Sequence, residues 1–236
     1  MTVTLLTIIQ TVCRRKGLRV PSEVVDSDDT QIQQLYALAN QEGKELARFP
    51  WQALTRQQTF TTVSGEEQTG AIPSDLAYFL NNTSFNRTTR LTLIGPITPQ
   101  LWQAIKAQPQ LNRVYLAWRQ RNNEYLVTPD ATADQTVAFE YVTTEWAEAA
   151  NGTPQDEFLA DNDTTLLSEE LIILGVSWRF LSAKGLDYAE DYRTYQTQVQ
   201  MMQATDGGTT QINITGSSTW GLFGFPNLPL GNFPGN

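Results

Sequence analysis

Histidine is absent from this chain of 236 residues, and cysteine occurs once. The first absence removes the commonest general base and the commonest metal ligand together. The second means that Cys13 has no intrachain disulfide partner. Cys13 falls on the apolar face of the first helical stretch, where a thiol behaves as a small buried hydrophobe. Charge is also scarce: 17% of residues are Asp, Glu, Lys or Arg, and none follows Asp206. Asn, Gln and Thr fill the polar surface instead, as suits a protein in lasting contact with other proteins, although secreted proteins share the trait. The net charge is −9 and the pI about 4.5. That argues against wrapping nucleic acid by counterion release, which needs clustered Lys and Arg. It is compatible with a wall past which DNA slides without adhering. Long apolar runs are missing too. The opening "MTVTLLTIIQTV" lacks a basic leader and its apolar stretch ends at Arg14, so it reads as neither a signal peptide nor a membrane span. The Asn-x-Ser/Thr sequons at Asn82, Asn151 and Asn213 read as polar surface in that context.

What is present begins with helices. Residues 3–16 place Leu5, Leu6, Ile8, Ile9, Val12 and Cys13 on one broad face. Arg14, Arg15 and Lys16 form a basic last turn that opposes the helix dipole, and Gly17 caps it. The stretch 28–49 has acidic caps before it, at Asp26 and Asp28 around Ser27. Its stripe is Ile32, Leu35, Tyr36, Ala39, Gly43, Leu46 and Ala47, and Pro50 ends it. Gly43 on that stripe predicts close approach of a neighbouring helix. From Gln57 the pattern turns to short β-branched and aromatic runs: "QQTFTTV", "LAYFLNN", "RLTLIG", "RVYLAWR", "EYLVT" and "TVAFEYVTT". "VYLAWRQRNNEYLV" predicts a hairpin with its turn at Gln120–Asn123. One helix interrupts the strands, capped by Thr98 with Pro99 at its first position. Residues 147–163 read as a polar loop. A helical pattern then runs from Thr165 to Met202, with one stripe through Leu167, Leu171, Leu174, Trp178, Leu181, Gly185, Tyr188, Tyr192, Tyr195, Val199 and Met202. Unbroken it would be roughly 55 Å long; Gly185 is the place for a kink or break. The pattern is α+β. A helical bundle core (1–54 with 147–206) holds an inserted antiparallel β domain (55–146), and residues 207–236 extend as an arm.

Few residues are placed for chemistry. The acidic clusters "DSDD" (Asp26, Asp28, Asp29) and "DND" (Asp161, Asp163) fail as calcium loops, because the required glycine turn and distal acid are missing. Each precedes a helix, so capping is the expectation for both. Glu140, Glu145 and Glu148 are the carboxylates a glycosidase could use, but their spacing is unremarkable, and Glu140 and Glu145 suit a solvent-facing strand edge. Nucleotide-binding loops and hydrolase elbows are absent from the sequence, and no cofactor or metal is expected. Trp51 in "FPWQAL" reads as a core plug between helix and first strand.

The C-terminal "STWGLFGFPNLPLGNFPGN" has another character. Trp220, Phe223, Phe225 and Phe233 sit among glycines and prolines without helical or strand period, with Leu222, Leu228 and Leu230 between them. Burying the four aromatics is worth roughly 15–25 kcal/mol. Ordering the stretch costs roughly 17–34 kcal/mol of backbone entropy. The two nearly cancel, so the segment needs a preformed groove, and a partner protein is the expected cover. Ile212 and Ile214 alternate with polar residues, as a strand added on the way would.

Three blocks carry a family resemblance. They are the short first helix ending "RRKGL"; "LYALANQEGKELARFPWQALTRQQTFTT" followed by "AIPSDLAYFL"; and "LSEELIILGVSWRFLSAKGLDYAEDYRTYQTQV". Together they resemble the head-to-tail connector adaptors of tailed bacteriophages, short-tailed ones in particular. The matching residues are Trp51, Pro73, Asp75, Trp178, Lys184, Gly185, Leu186, Asp187 and Tyr188. The resemblance implies a structural protein of the virion neck, assembled in the host cytoplasm. Such proteins form a ring, usually of twelve copies, beneath the portal. The ring extends the DNA channel and offers a platform to the next tail or nozzle component. It also implies that the arm (Ile212, Ile214, Trp220, Leu222, Phe223, Phe225, Leu228, Phe233) embraces the portal, that DNA passes without specific binding, and that no membrane is involved. Compact relatives have little β structure, so the 55–145 insertion departs from them. A receptor- or glycan-binding module on that insertion is the alternative reading, and a carboxylate glycosidase a third.

Overall fold

The computed structural model describes residues 3–107 and 116–207. It is α+β, as the sequence pattern indicates. Two compact units divide the chain. The first runs to Thr55 and resumes at Thr143; the second is Arg56–Val142.

The first unit holds four helices: α1 (Leu5–Lys16), α2 (Thr30–Leu46), α4 (Glu169–Ala183) and α5 (Ala189–Asp206). Helix α1 starts where the Thr4 hydroxyl accepts from the Thr7 amide, and ends at Gly17 in the left-handed conformation, φ 69°. Leu5, Ile8, Ile9, Val12 and Cys13 are buried. Its basic turn does more than face the dipole. Arg15 donates two hydrogen bonds to Glu170 at 3.0 and 3.1 Å, and Lys16 pairs with Asp191 at 2.9 Å. Both acids lie in first turns, of α4 and α5, where negative charge is favoured. Helix α2 opens at Thr30, two residues later than the sequence pattern predicts, with Asp29 as the capping acceptor for the Gln31 amide. It stops at Leu46, short of Phe49.

A polar loop is the expectation for 147–163, yet β9 (Ala147–Glu148) and β10 (Pro154–Gln155) fall inside it and, with β11 (Thr164–Thr165) just after it, form a small antiparallel sheet in the order β10-β9-β11. Two-residue strands carry no period to read. Nor does "DND" cap α4, whose N-cap is Ser168. Asp161 instead accepts from the amides of Val24 and Val25. Asp163 accepts from Leu159 and Ala160. The backbone carbonyls of Asp161 and Asp163 receive the Leu6 and Leu5 amides respectively. The cluster therefore braces the start of α1, satisfying amides that a helix leaves free.

The second unit is mostly β. Strands β1 (Thr55–Thr61), β3 (Leu76–Phe79), β4 (Phe85–Asn86), β5 (Leu91–Thr92) and β8 (Thr136–Thr143) form one sheet, and β2 (Gly65–Gln68), β6 (Ala117–Arg121) and β7 (Glu124–Ala131) another. The β6–β7 hairpin turns at Asn122–Asn123, both at positive φ, the tight turn whose twist matches the strands. Helix α3 (Pro99–Ala107) has Thr98 accepting from the Leu101 amide. The core is aromatic: Tyr125 stacks between Trp118 (4.6 Å) and Phe139 (5.7 Å). Phe60 meets Tyr125 edge-on.

A candidate docking face on the helical unit

Helices α4 and α5 come from one continuous helical pattern, but the structure breaks it at residues 184–188. Gly185 has φ 69°, a conformation glycine takes without steric cost. The Leu186 amide returns to the Leu181 carbonyl and Gly185 to Ser182, closing the end of α4. Asp187 accepts from the Ala189 amide and starts α5. Lys184 lies over the Phe180 ring at 5.3 Å. The segment "KGLDYA" is thus a stop, a turn and a start.

Burial differs sharply across that break. In α4, Leu171, Ile172, Ile173, Gly175, Val176, Ser177 and Phe180 are buried; in α5 no residue is. The buried side of α4 is not the stripe predicted for it: of Leu171, Leu174, Trp178 and Leu181 only Leu171 is buried, because α1, α2 and α5 pack around the helix and cover other faces. A helix apolar on most sides belongs inside.

One buried acid ties these helices together. Glu42, fully buried, lies on α2 in register with Ile32, Leu35, Ala39 and Leu46. Arg179 Nε donates to its Oε2 at 2.7 Å, and the Tyr195 hydroxyl to its Oε1 at 2.6 Å. Arg179 also reaches Glu45 at 2.5 Å. Gly175 makes room: a Cβ there would overlap the Glu42 carboxyl. Burial pushes the Glu42 carboxyl above its ordinary pKa, and the hydrogen bonds from Tyr195 and Arg179 oppose that rise. Burial and the neighbouring Glu42 hold the Tyr195 phenol up, so it stays a donor. Gly43, predicted to admit a helix, instead admits the indole of Trp146, which packs edge-on against Phe158 at 4.7 Å. An aromatic plug from a loop needs the same missing side chain as a helix would.

Beside this network lies a groove of about 490 Å³. Trp178 floors it, with the rings of Tyr192, Tyr195 and Tyr188 at 4.9, 6.1 and 6.1 Å. The Arg179 guanidinium sits 4.5 Å from the Trp178 ring centre, and the indole N–H has no acceptor among the described residues. Phe49 and Val199 add apolar wall; Gln196, Gln200 and Gln203 form a polar rim. A second groove of about 390 Å³ is lined by Trp51, Leu167, Leu171 and Met202. Trp51 is buried and its indole N–H donates to the Leu46 carbonyl at 2.8 Å.

The remaining sequence-predicted residues lie apart from this face. Pro73 precedes β3, its carbonyl accepting from the Leu76 amide. Asp75 pairs with Arg56 at 3.0 Å and accepts from the Tyr141 hydroxyl. Burial, with Asp75 alongside, pushes Tyr141 up to about 12. These are bonds within the β unit. Glu140 is exposed on β8, Glu145 and Glu148 are half-buried, and neither groove contains them. Among the described residues, no three His, Cys, Asp or Glu side chains gather as around a metal ion. Ile212, Ile214, Trp220, Leu222, Phe223, Phe225, Leu228 and Phe233 lie outside the described residues. Sequence reasoning missed Glu42, Arg179 and Gly175. The spacing 32-35-39-42-46 was the available signal, since it puts a glutamate where the stripe calls for an apolar side chain.

What the geometry offers is two open grooves, a helix with no buried residue and an ion network held inside the helical unit, an arrangement suited to holding other proteins. Residues 3–221 match a family model of phage head–tail adaptors, structural proteins of the virion that join other capsid or tail components. The chain belongs to that family, described as the SU10 adaptor protein. No curated protein sequence matches it. Among the described residues, no helix is long and apolar enough to cross a membrane.

Proposed function

We propose that this adaptor forms a closed ring, of twelve copies, between the portal and the next tail component of a short-tailed phage. The carrying observation is α5, whose eighteen residues include none that is buried and several that are apolar or aromatic. A surface helix of this kind, leaning on α4 through one side, leaves the other side for neighbouring copies. In this reading the helical unit forms the ring body, the β unit serves the next component, and residues 207–236 dock on the portal. The net charge of −9 suits a channel wall that repels DNA and lets it pass during retention and ejection.

The test mixes purified protein with purified portal and images the product. A closed ring stacked on the portal is the expected result; a ring of another stoichiometry corrects the copy number, and no complex refutes the role. Removing residues 207–236 should leave a folded monomer that no longer binds portal. Particles made without the protein should package DNA but fail to retain it, and normal tailed particles would overturn the reading.

A further inference from the structure

The groove floored by Trp178 has the features of a site for an extended, proline-containing segment. Chains in the polyproline II conformation have no internal hydrogen bonds, dock on aromatic ridges and offer free carbonyls to rim donors. Here Trp178, Tyr192 and Tyr195 supply the ridges, and Gln196, Gln200 and Gln203 the amide rim. The groove also carries little net charge, because Arg179 and Arg48 on its wall stand against Glu42 and Glu45. An uncharged segment therefore suits it better than a charged one.

The chain itself contains such a segment. Beyond Asp206 it has no charged side chain, and "FPNLP" at 225–229 places Pro226 and Pro229 in Pro-x-x-Pro spacing. The described chain ends at Gly207, four residues past Gln203 on the rim. Residues 208–224 as a coil span roughly 20–25 Å. The groove from Gln203 back to Tyr192 runs about 16 Å along α5. A link this short gives the segment an effective concentration in the millimolar range, so even a weak site fills.

We infer that Pro226–Pro229 docks in the Trp178 groove of its own chain, parking the arm on the free monomer until a partner displaces it. This rests on the groove and the arm's composition, and on the adaptor reading only for the identity of the displacing partner.

The test uses the full chain carrying Gln200→Cys and Asn227→Cys, diluted and mildly oxidised. Cys13 is buried and burial raises its thiol pKa, which keeps it out of the exchange. An intramolecular disulfide should form, and adding Pro226→Ala with Pro229→Ala should slow it about tenfold. Equal rates with and without the prolines would overturn the inference, as would disulfides formed only between two chains. Portal binding is measured separately on the proline variant without the cysteines. Retained binding alongside equal disulfide rates sinks this inference alone. Lost portal binding by the arm-deleted chain together with proline-dependent disulfides supports both.

Discussion

Helices α4 and α5 are neighbours in sequence and opposites in environment. The first buries seven of its fifteen residues and the second none of its eighteen. Nothing in the spacing of apolar residues separates them: Leu171, Leu174, Trp178, Tyr188, Tyr192, Tyr195 and Val199 follow one rhythm. The difference lies in how many elements surround each helix. Helix α4 is enclosed by α1, α2 and α5, whereas α5 has α4 as its main support. The lesson is that an apolar stripe states which face wants cover, not whether the same chain provides it.

That contrast can be broken experimentally, most forcefully at the ion network. Arg179→Ala strands the buried Glu42 carboxylate and should cost about 3–5 kcal/mol in urea unfolding at neutral pH. The loss should shrink as pH falls. A carboxyl whose folded pKa is raised favours folding below its ordinary value near 4.5 and loses that contribution as pH rises through the folded value. Removing Arg179 raises it further, so a deficit that grows toward acid would refute the arrangement. Ile172→Ala, inside α4, should cost about 2–5 kcal/mol, and a loss below that range would mean α4 is less enclosed than described. Tyr195→Phe removes a hydrogen bond to a charged group, worth about 1.5–3 kcal/mol. Its signature is local: amide exchange should speed up along α5 while α4 stays protected. Gly185→Ala should cost about 1–2 kcal/mol through its left-handed backbone, with unchanged stability marking the break as relaxed. Val199→Ala on α5 should change monomer stability by about 0.5 kcal/mol or less and yet weaken self-association, as read by sedimentation.

Much of the fold was legible beforehand. The first helix, the capped second helix, α3 with its Thr98 cap and the Asn-Asn hairpin all announce themselves through period, caps or turn chemistry. The small β9–β11 sheet did not, because strands of two residues have no alternation to detect. The acidic clusters were legible only by half. Asp29 caps the helix it precedes, while Asp161 and Asp163 serve amides distant in sequence, at Val24, Val25 and the start of α1. The candidate site was harder still. Trp178, Tyr192 and Tyr195 lay on the predicted stripe, but the partners of Glu42 are separated from it by 137 and 153 positions, and no local pattern encodes such a meeting. Gly43 shows the same limit, since a missing side chain tells that something approaches and not what.

By itself, the sequence determined the α+β class, Gly185 as the weak point of the long helical pattern, and the blocks that carry family membership, all of which rest on local conformational preference or on residue order. Only the tertiary structure decided that Glu42 is the buried hub of the helical unit, that α4 is enclosed, and that α5 stands open beside an aromatic groove. Those outcomes depend on which elements crowd together, because the cost of burying a charge and the gain from covering a ring are set by neighbours far away along the chain.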